Sequence, residues 1–192
     1  MRYTLFTTPI LSPLLRLISK IILKFIRWRV VGSLPEEQKK YVLIVAPHTS
    51  NWDFILFVLA VSVLRLKPSV LIKSTLFVGP LGWFLRYCGA IPVNRTQASS
   101  LVNYIAGIYE EREEFVLIIT PEGTRSQVSK WRTGFYHIAV GANVPIQPIC
   151  LDGPGKNIDF EPLFIVSGDK EDDLREIKAI FHGKQGVRPE LS

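Results

Sequence analysis

The sequence predicts an α/β fold, a single domain with a mixed central sheet flanked by helices, plus an amphipathic basic helix at the N-terminus. Three observations lead there. Apolar runs of strand length alternate with longer segments of helical period along the chain. The 192 residues, 47% of them aliphatic or aromatic, suit one domain with a substantial core. Finally, the unusual polar clusters fall just after strand-like runs, where ligands collect in open α/β sheets.

Residues 1–31 read as a unit of their own, ahead of an α/β domain over 32–192. A helix is predicted near 9–29, with Arg16, Lys20, Lys24 and Arg27 recurring every three or four residues. Leu11, Leu14, Leu15, Ile18, Ile21, Ile22, Phe25 and Trp28 fill its other side. The first thirty residues carry six basic groups and no acid, while the remaining 162 balance 17 against 17, so the whole +6 excess lies here. Basic residues interrupt every stretch that could be the core of a cleaved signal peptide. A nucleic-acid arm would rarely carry so broad an aliphatic face. A helix lying in a lipid interface fits both faces and the Trp near its end, so Arg16, Lys20, Lys24, Arg27 and Trp28 are the candidate membrane contacts. The same helix could instead pack on the protein's own core with its basic side solvated, and both can hold together.

Gly32, Pro35 and four charges make 30–40 a connector. Strands follow near 41–46, 69–73, 90–94, 115–119, 144–151 and 161–166. Helices are predicted near 53–66, 80–88, 97–112, 131–142 and 170–182, and the tail after Gly183 reads as loose. Mean hydropathy is +0.22, yet no apolar run reaches the roughly 18 residues of a spanning helix. Cys88 and Cys150 are too few for a disulfide framework, and no His, Cys or carboxylate spacing suggests a metal.

His48 stands five residues before Asp53, after the apolar run 41–45. Five is the wrong separation for one helix face, so a turn is the better setting, with Thr49, Ser50 and Asn51 capping the next helix. There an imidazole could take a proton from a hydroxyl while the carboxylate held its tautomer. Arg95 and Arg125, each beside a strand end, offer planar donor forks for phosphate or carboxylate. Glu122 could bind hydroxyls, fix an arginine or simply close a turn. Gly123 allows close backbone approach, and Lys73 adds positive potential after 70–72.

At these residues the chain resembles the glycerolipid acyltransferases, the family of bacterial 1-acyl-glycerol-3-phosphate acyltransferases. His48-Thr-Ser-Asn-Trp-Asp53 matches the H-x-x-x-x-D block of that family. Gly89-Ala-Ile-Pro-Val-Asn-Arg95 resembles the second block, and Thr120-Pro-Glu-Gly-Thr-Arg-Ser126 the P-E-G-T-R-S block, with Thr where an aromatic is common. Val144-Pro-Ile-Gln-Pro148 matches the terminal V-P-I-x-P block.

The resemblance implies that His48 acts as general base, oriented by Asp53, in moving a fatty acyl group from a thioester to a lysophospholipid hydroxyl. Arg95, Glu122, Gly123 and Arg125 would hold the acceptor, with Thr124 a weaker candidate. The donor would be acyl-CoA or acyl carrier protein, with no cofactor, no metal and no nucleic acid. The default acceptor is 1-acyl-sn-glycerol-3-phosphate, giving phosphatidic acid; another lyso-lipid such as a lyso-ornithine lipid stays open. So does a non-catalytic binder of anionic lipid head groups. The expected location is peripheral, on the cytoplasmic face of the cell membrane. No G-x-S-x-G elbow is present, which favours direct transfer over an acyl-enzyme.

Overall fold

Residues 41–46 are apolar without a break, a pattern suited to a strand covered on both faces. In the computed structural model, which describes residues 4–34, 37–94, 98–128 and 130–191, that strand is central. The helices are α1 Leu11–Ile26, α2 Asn51–Val63, α3 Gly79–Tyr87, α4 Ala98–Glu111, α5 Gly134–Ala142 and α6 Lys170–Ile180. The strands are β1 Arg29–Val31, β2 Lys40–Ala46, β3 Pro68–Lys73, β4 Ala90–Val93, β5 Phe115–Ile119, β6 Ile146–Asp152 and β7 Asn157–Phe160.

They form one sheet in the order β1-β7-β6-β2-β5-β3-β4. Every pairing is parallel except β6 with β7, so the sheet is mixed, as expected. The two-residue period of β2 divides the core. Val42, Ile44 and Ala46 join Ile105 and Tyr109 of α4, Phe135 and Ile138 of α5, and Ile177 of α6. Tyr41, Leu43 and Val45 join Leu56, Phe57 and Ala60 of α2 and Leu23 of α1. Helices thus cover both faces.

Three expectations are corrected. The first helix stops at Ile26: Arg27 turns left-handed (φ 62°), and residues 29–31 pair with β7. A strand at 161–166 is reduced to a single bridge between Phe164 and Ile146; the real strand is β7, delivered as a hairpin after β6 by the turn at 153–156. The tail is not loose. Lys184 Nζ lies 2.6 Å from Asp159 Oδ2, Gly153 N–H donates to Gln185 O at 2.7 Å, and Arg188 N–H donates to Thr49 Oγ1 at 3.0 Å.

α1 presents three sides. Ser19 and Leu23 are buried against the body, and Arg16 Nε donates to Val63 O at the end of α2 (3.1 Å). Lys20, Lys24 and Arg27 are exposed. A third row, including Leu14, Leu17, Ile18, Ile21 and Phe25, is apolar and also exposed, Phe25 by 87%. Trp28 departs from that row and packs, half-buried, against the core on the α2 side. Among the described residues no helix is long and apolar enough to cross a membrane.

Candidate active site

β2 ends at Ala46, and the chain must turn before α2 begins. Ser50 adopts the extended geometry of a helix cap (φ −149°, ψ 159°), its hydroxyl accepting from Trp52 N–H. Asp53, in the first turn, reaches back to the same cap. Its Oδ2 accepts from Thr49 N–H at 2.6 Å and Ser50 N–H at 2.7 Å, completing a capping box. His48 Nδ1 comes to 3.1 Å from that oxygen. The turn therefore closes the five-residue gap that no helix face would close. A carboxylate oxygen already accepting two N–H groups makes Nδ1 the donor and leaves the lone pair on Nε2. Asp53 is buried and His48 half-buried.

The neighbouring strand β5, paired with β2 through Ile44 and Ile119, ends in the turn 120–123. Glu122 Oε2 accepts His48 N–H at 2.7 Å, tying the two strand ends together. Burial pushes the Glu122 carboxyl above its ordinary 4.5, partly offset by that N–H and the His48 charge and reinforced by Asp53. Gly123 follows at φ 65°, its N–H bonded to Thr120 O at 3.1 Å.

His48, Asp53 and Gly123 line a cavity of about 610 Å³ whose walls are largely apolar, with Phe54, Phe57, Leu71, Ile118 and Phe135 among them. Among the described residues one arginine lines it, Arg132, which nothing in the sequence singles out because it stands at the start of a segment of ordinary helical period. Its backbone N–H donates to Pro121 O at 2.8 Å. A Cβ placed on Gly123 would lie 2.8 Å from Arg132 Nε, so the side chain rests directly on that glycine.

The other candidates scatter. Arg125 is exposed and donates to Asn51 Oδ1, the first residue of α2. The Thr124 hydroxyl accepts from Ser126 N–H at 3.4 Å. Lys73 is exposed at the carboxyl end of β3. Thr124, Arg125 and Lys73 do not line the cavity with His48, and Arg95 lies outside the described residues. The Val144–Pro148 block is at the other end of the sheet, where Ile146 pairs with Val42; there the buried Gln147 amide bonds backbone carbonyls. A second cavity, about 740 Å³, is lined by Ser69, Arg86, Asn103 and Arg112 and shares no residue with the first. Among the described residues no group of His, Cys, Asp and Glu is placed to hold a metal ion.

The family model described as Acyltransferase matches residues 27–152. The chain belongs to the acyltransferase family. Among curated relatives of this acyltransferase-family chain, a 1-acyl-sn-glycerol-3-phosphate acyltransferase of Streptococcus pneumoniae is 32% identical over 126 residues, 63% of this chain and 45% of that protein. One from Escherichia coli is 28% identical over 139 residues, 67% and 55% of the two. One from Haemophilus influenzae is 26% identical over 175 residues, 80% and 71%. The chain spans about half the length of the first two, 45% and 55%. The crystal structure of the 1-acyl-sn-glycerophosphate (LPA) acyltransferase PlsC from Thermotoga maritima shares the fold, with a TM-score of 0.60 at 16% identity over 88% of this chain and 76% of that one.

Proposed function

We propose that the chain moves a fatty acyl group from a thioester, acyl-CoA or acyl carrier protein, to the free hydroxyl of a lysophospholipid. 1-Acyl-sn-glycerol-3-phosphate is the first acceptor to test. The observation that carries this reading is His48: its Nδ1 is held by a buried, twice-anchored carboxylate, and it lines an apolar-walled cavity. Its Nε2 has no protein partner among the described residues. Nε2 takes the hydroxyl proton as the acceptor oxygen attacks the thioester carbonyl. The tetrahedral intermediate then collapses, the C–S bond breaks, and the imidazolium returns its proton to the leaving thiolate. Asp53 keeps the ring in the reactive tautomer and faces the positive charge as it forms. The relatives' printed names support the choice of acceptor.

Both acceptor and product are amphiphiles, and α1 suits retrieval of such molecules at the cytoplasmic face of a membrane. Its exposed apolar row, flanked by Lys20, Lys24 and Arg27, matches an interfacial helix.

The test is His48→Ala in the full chain, with products from mixed acyl donors and a lysolipid panel identified by mass. General-base catalysis contributes about 10²–10⁴-fold, so turnover should fall by that order while binding to lipid vesicles persists. Wild-type protein that binds lipid but yields no acylated product would make it a head-group binder instead.

A further inference from the structure

We propose that the segment after α6 positions the His48–Asp53 pair by acting on Thr49, with Gly186 and the Arg188 N–H as its points of contact. The proposal rests on the acyltransfer reading for the step it serves, and on the packing of the segment for the residues. The family match ends at residue 152, so these contacts come from a part of the chain beyond it.

Thr49 is tied to two groups at once. Its N–H donates to Asp53 Oδ2 at 2.6 Å, one of the two backbone donors that hold this carboxylate against His48. Its hydroxyl oxygen accepts from Arg188 N–H at 3.0 Å. Thr49 is buried, and a Cβ built on Gly186 would overlap its Oγ1 and lie 2.7 Å from its Cγ2 and 3.1 Å from its Cβ. The same glycine is packed on the turn after β6. Gly153 N–H donates to Gln185 O at 2.7 Å, and a Cβ on Gly153 would come within 2.8 Å of the Gly186 carbonyl carbon. The segment is thus held by the turn at 153–156 and presses on the turn that carries His48, with no room for a methyl group at either glycine.

The position of Thr49 has chemical weight. Asp53 Oδ1 is buried without a hydrogen-bond partner among the described residues, so hydrogen bonds locate the carboxylate through Oδ2 alone. A shift of Thr49 redirects one of the two backbone donors on that oxygen and lets the carboxylate move away from Nδ1. The ring is then free to carry its proton on Nε2, where no lone pair remains to take the proton of a hydroxyl. The segment acts on the helix cap, one residue from the imidazole, and its role is to position. A misplacement of about 1 Å at such a site costs on the order of 10²-fold in rate.

The experiment uses the full chain well below its melting temperature and has two readouts. One is steady-state kinetics; the other is the NMR shifts of the His48 ring nitrogens, which report the tautomer without turnover. Gly186→Ala should lower kcat about 10- to 100-fold, leave KM for acceptor and donor within about twofold, and raise the share of His48 protonated on Nε2. Thr49→Val keeps the volume and the N–H but removes the acceptor for Arg188, and should cost about fivefold in kcat, the worth of one neutral hydrogen bond. Combining Thr49→Ala with Gly186→Ala clears the overlap and should turn over faster than Gly186→Ala alone. Tyr136→Phe is the control: it breaks the buried Tyr136–Asp173 hydrogen bond, so it should lower Tm yet leave kcat and tautomer as in wild type. A wild-type tautomer in Gly186→Ala, a loss carried by KM instead of kcat, or equal changes in Tyr136→Phe would each overturn the proposal. Should Gly186→Ala fail to fold, wild-type kcat and tautomer in Thr49→Val would overturn it. Wild type that transfers no acyl group, while Gly186→Ala still shifts the tautomer, would uphold the positioning and sink the acyltransfer reading alone.

Discussion

Asp53 Oδ2 accepts three hydrogen bonds, two from the backbone N–H groups of Thr49 and Ser50 and one from His48 Nδ1. The first two belong to helix capping and would be made whether or not His48 were present. The imidazole is therefore oriented by a group that folding has already fixed, and no separate support for the carboxylate is needed. Glu122 has the opposite balance. Burial raises its carboxyl above 4.5, so the folded chain holds this proton to a higher pH than the unfolded chain. Its contribution to stability is greatest below 4.5 and declines as pH rises through the folded value. Glu122→Gln keeps an oxygen for His48 N–H and removes the buried charge. Thermal melts between pH 4 and 8 should place this variant level with wild type at the acid end and at or above it near pH 8. A variant level with wild type at pH 4 but melting lower near pH 8 would mean that the ionised carboxylate is net stabilising.

Among the elements, α1 illustrates what helical periodicity conveys and what it omits. The spacing identifies the helix and its basic and apolar sides. It does not identify the side that packs on the body, because that side is built around Ser19, small and polar, with Leu23 beside it. It also credits Arg16 to the solvated face, whereas that guanidinium is engaged by Val63 O. Replacing Lys20, Lys24 and Arg27 together with Gln should remove about 1 kcal/mol each of attraction to an anionic leaflet, weakening partition into anionic vesicles about 10²-fold. Neutral vesicles should bind wild type and variant alike, and equal binding to anionic ones would remove the electrostatic part of the interface proposal. β7 escaped notice for a related reason. Asn157-Ile-Asp-Phe alternates correctly, with Ile158 and Phe160 buried, but four residues after a Gly- and Pro-rich turn give a weaker signal than the apolar stretch 163–166 that follows.

At the scale of the molecule, the sheet order was not legible, but the meeting of two strand ends was. Strand-end clusters from separate parts of the chain suggested one crevice, and β2 and β5 do lie side by side with His48 and Glu122 at their ends. Arg132 was invisible to that logic because it reaches the cavity from the loop before α5, well past the end of β5 along the chain. The C-terminal segment was misread because Gly, Lys and Gln near a terminus look like solvated chain, whereas Gly186 is buried against Thr49. Deleting residues 184–192 removes the Lys184–Asp159 pair, the Gln185 carbonyl that accepts Gly153 N–H and the Arg188 N–H that donates to the Thr49 hydroxyl beside His48. At about 1 kcal/mol per bond, calorimetry should record a fall in Tm of roughly 4–10 °C. An unshifted Tm would mean that the segment is dispensable to the fold.

The placing of β2 has a further consequence, for synthesis. Its two hydrogen-bonded neighbours begin at Phe115 and Ile146, so as the nascent chain emerges this strand waits for most of the protein to be translated before it can pair. Until then six consecutive apolar residues, 41–46, have no native ladder to join. Ribosome pausing or truncation upstream of residue 115 would leave that segment exposed to chaperones and to self-association.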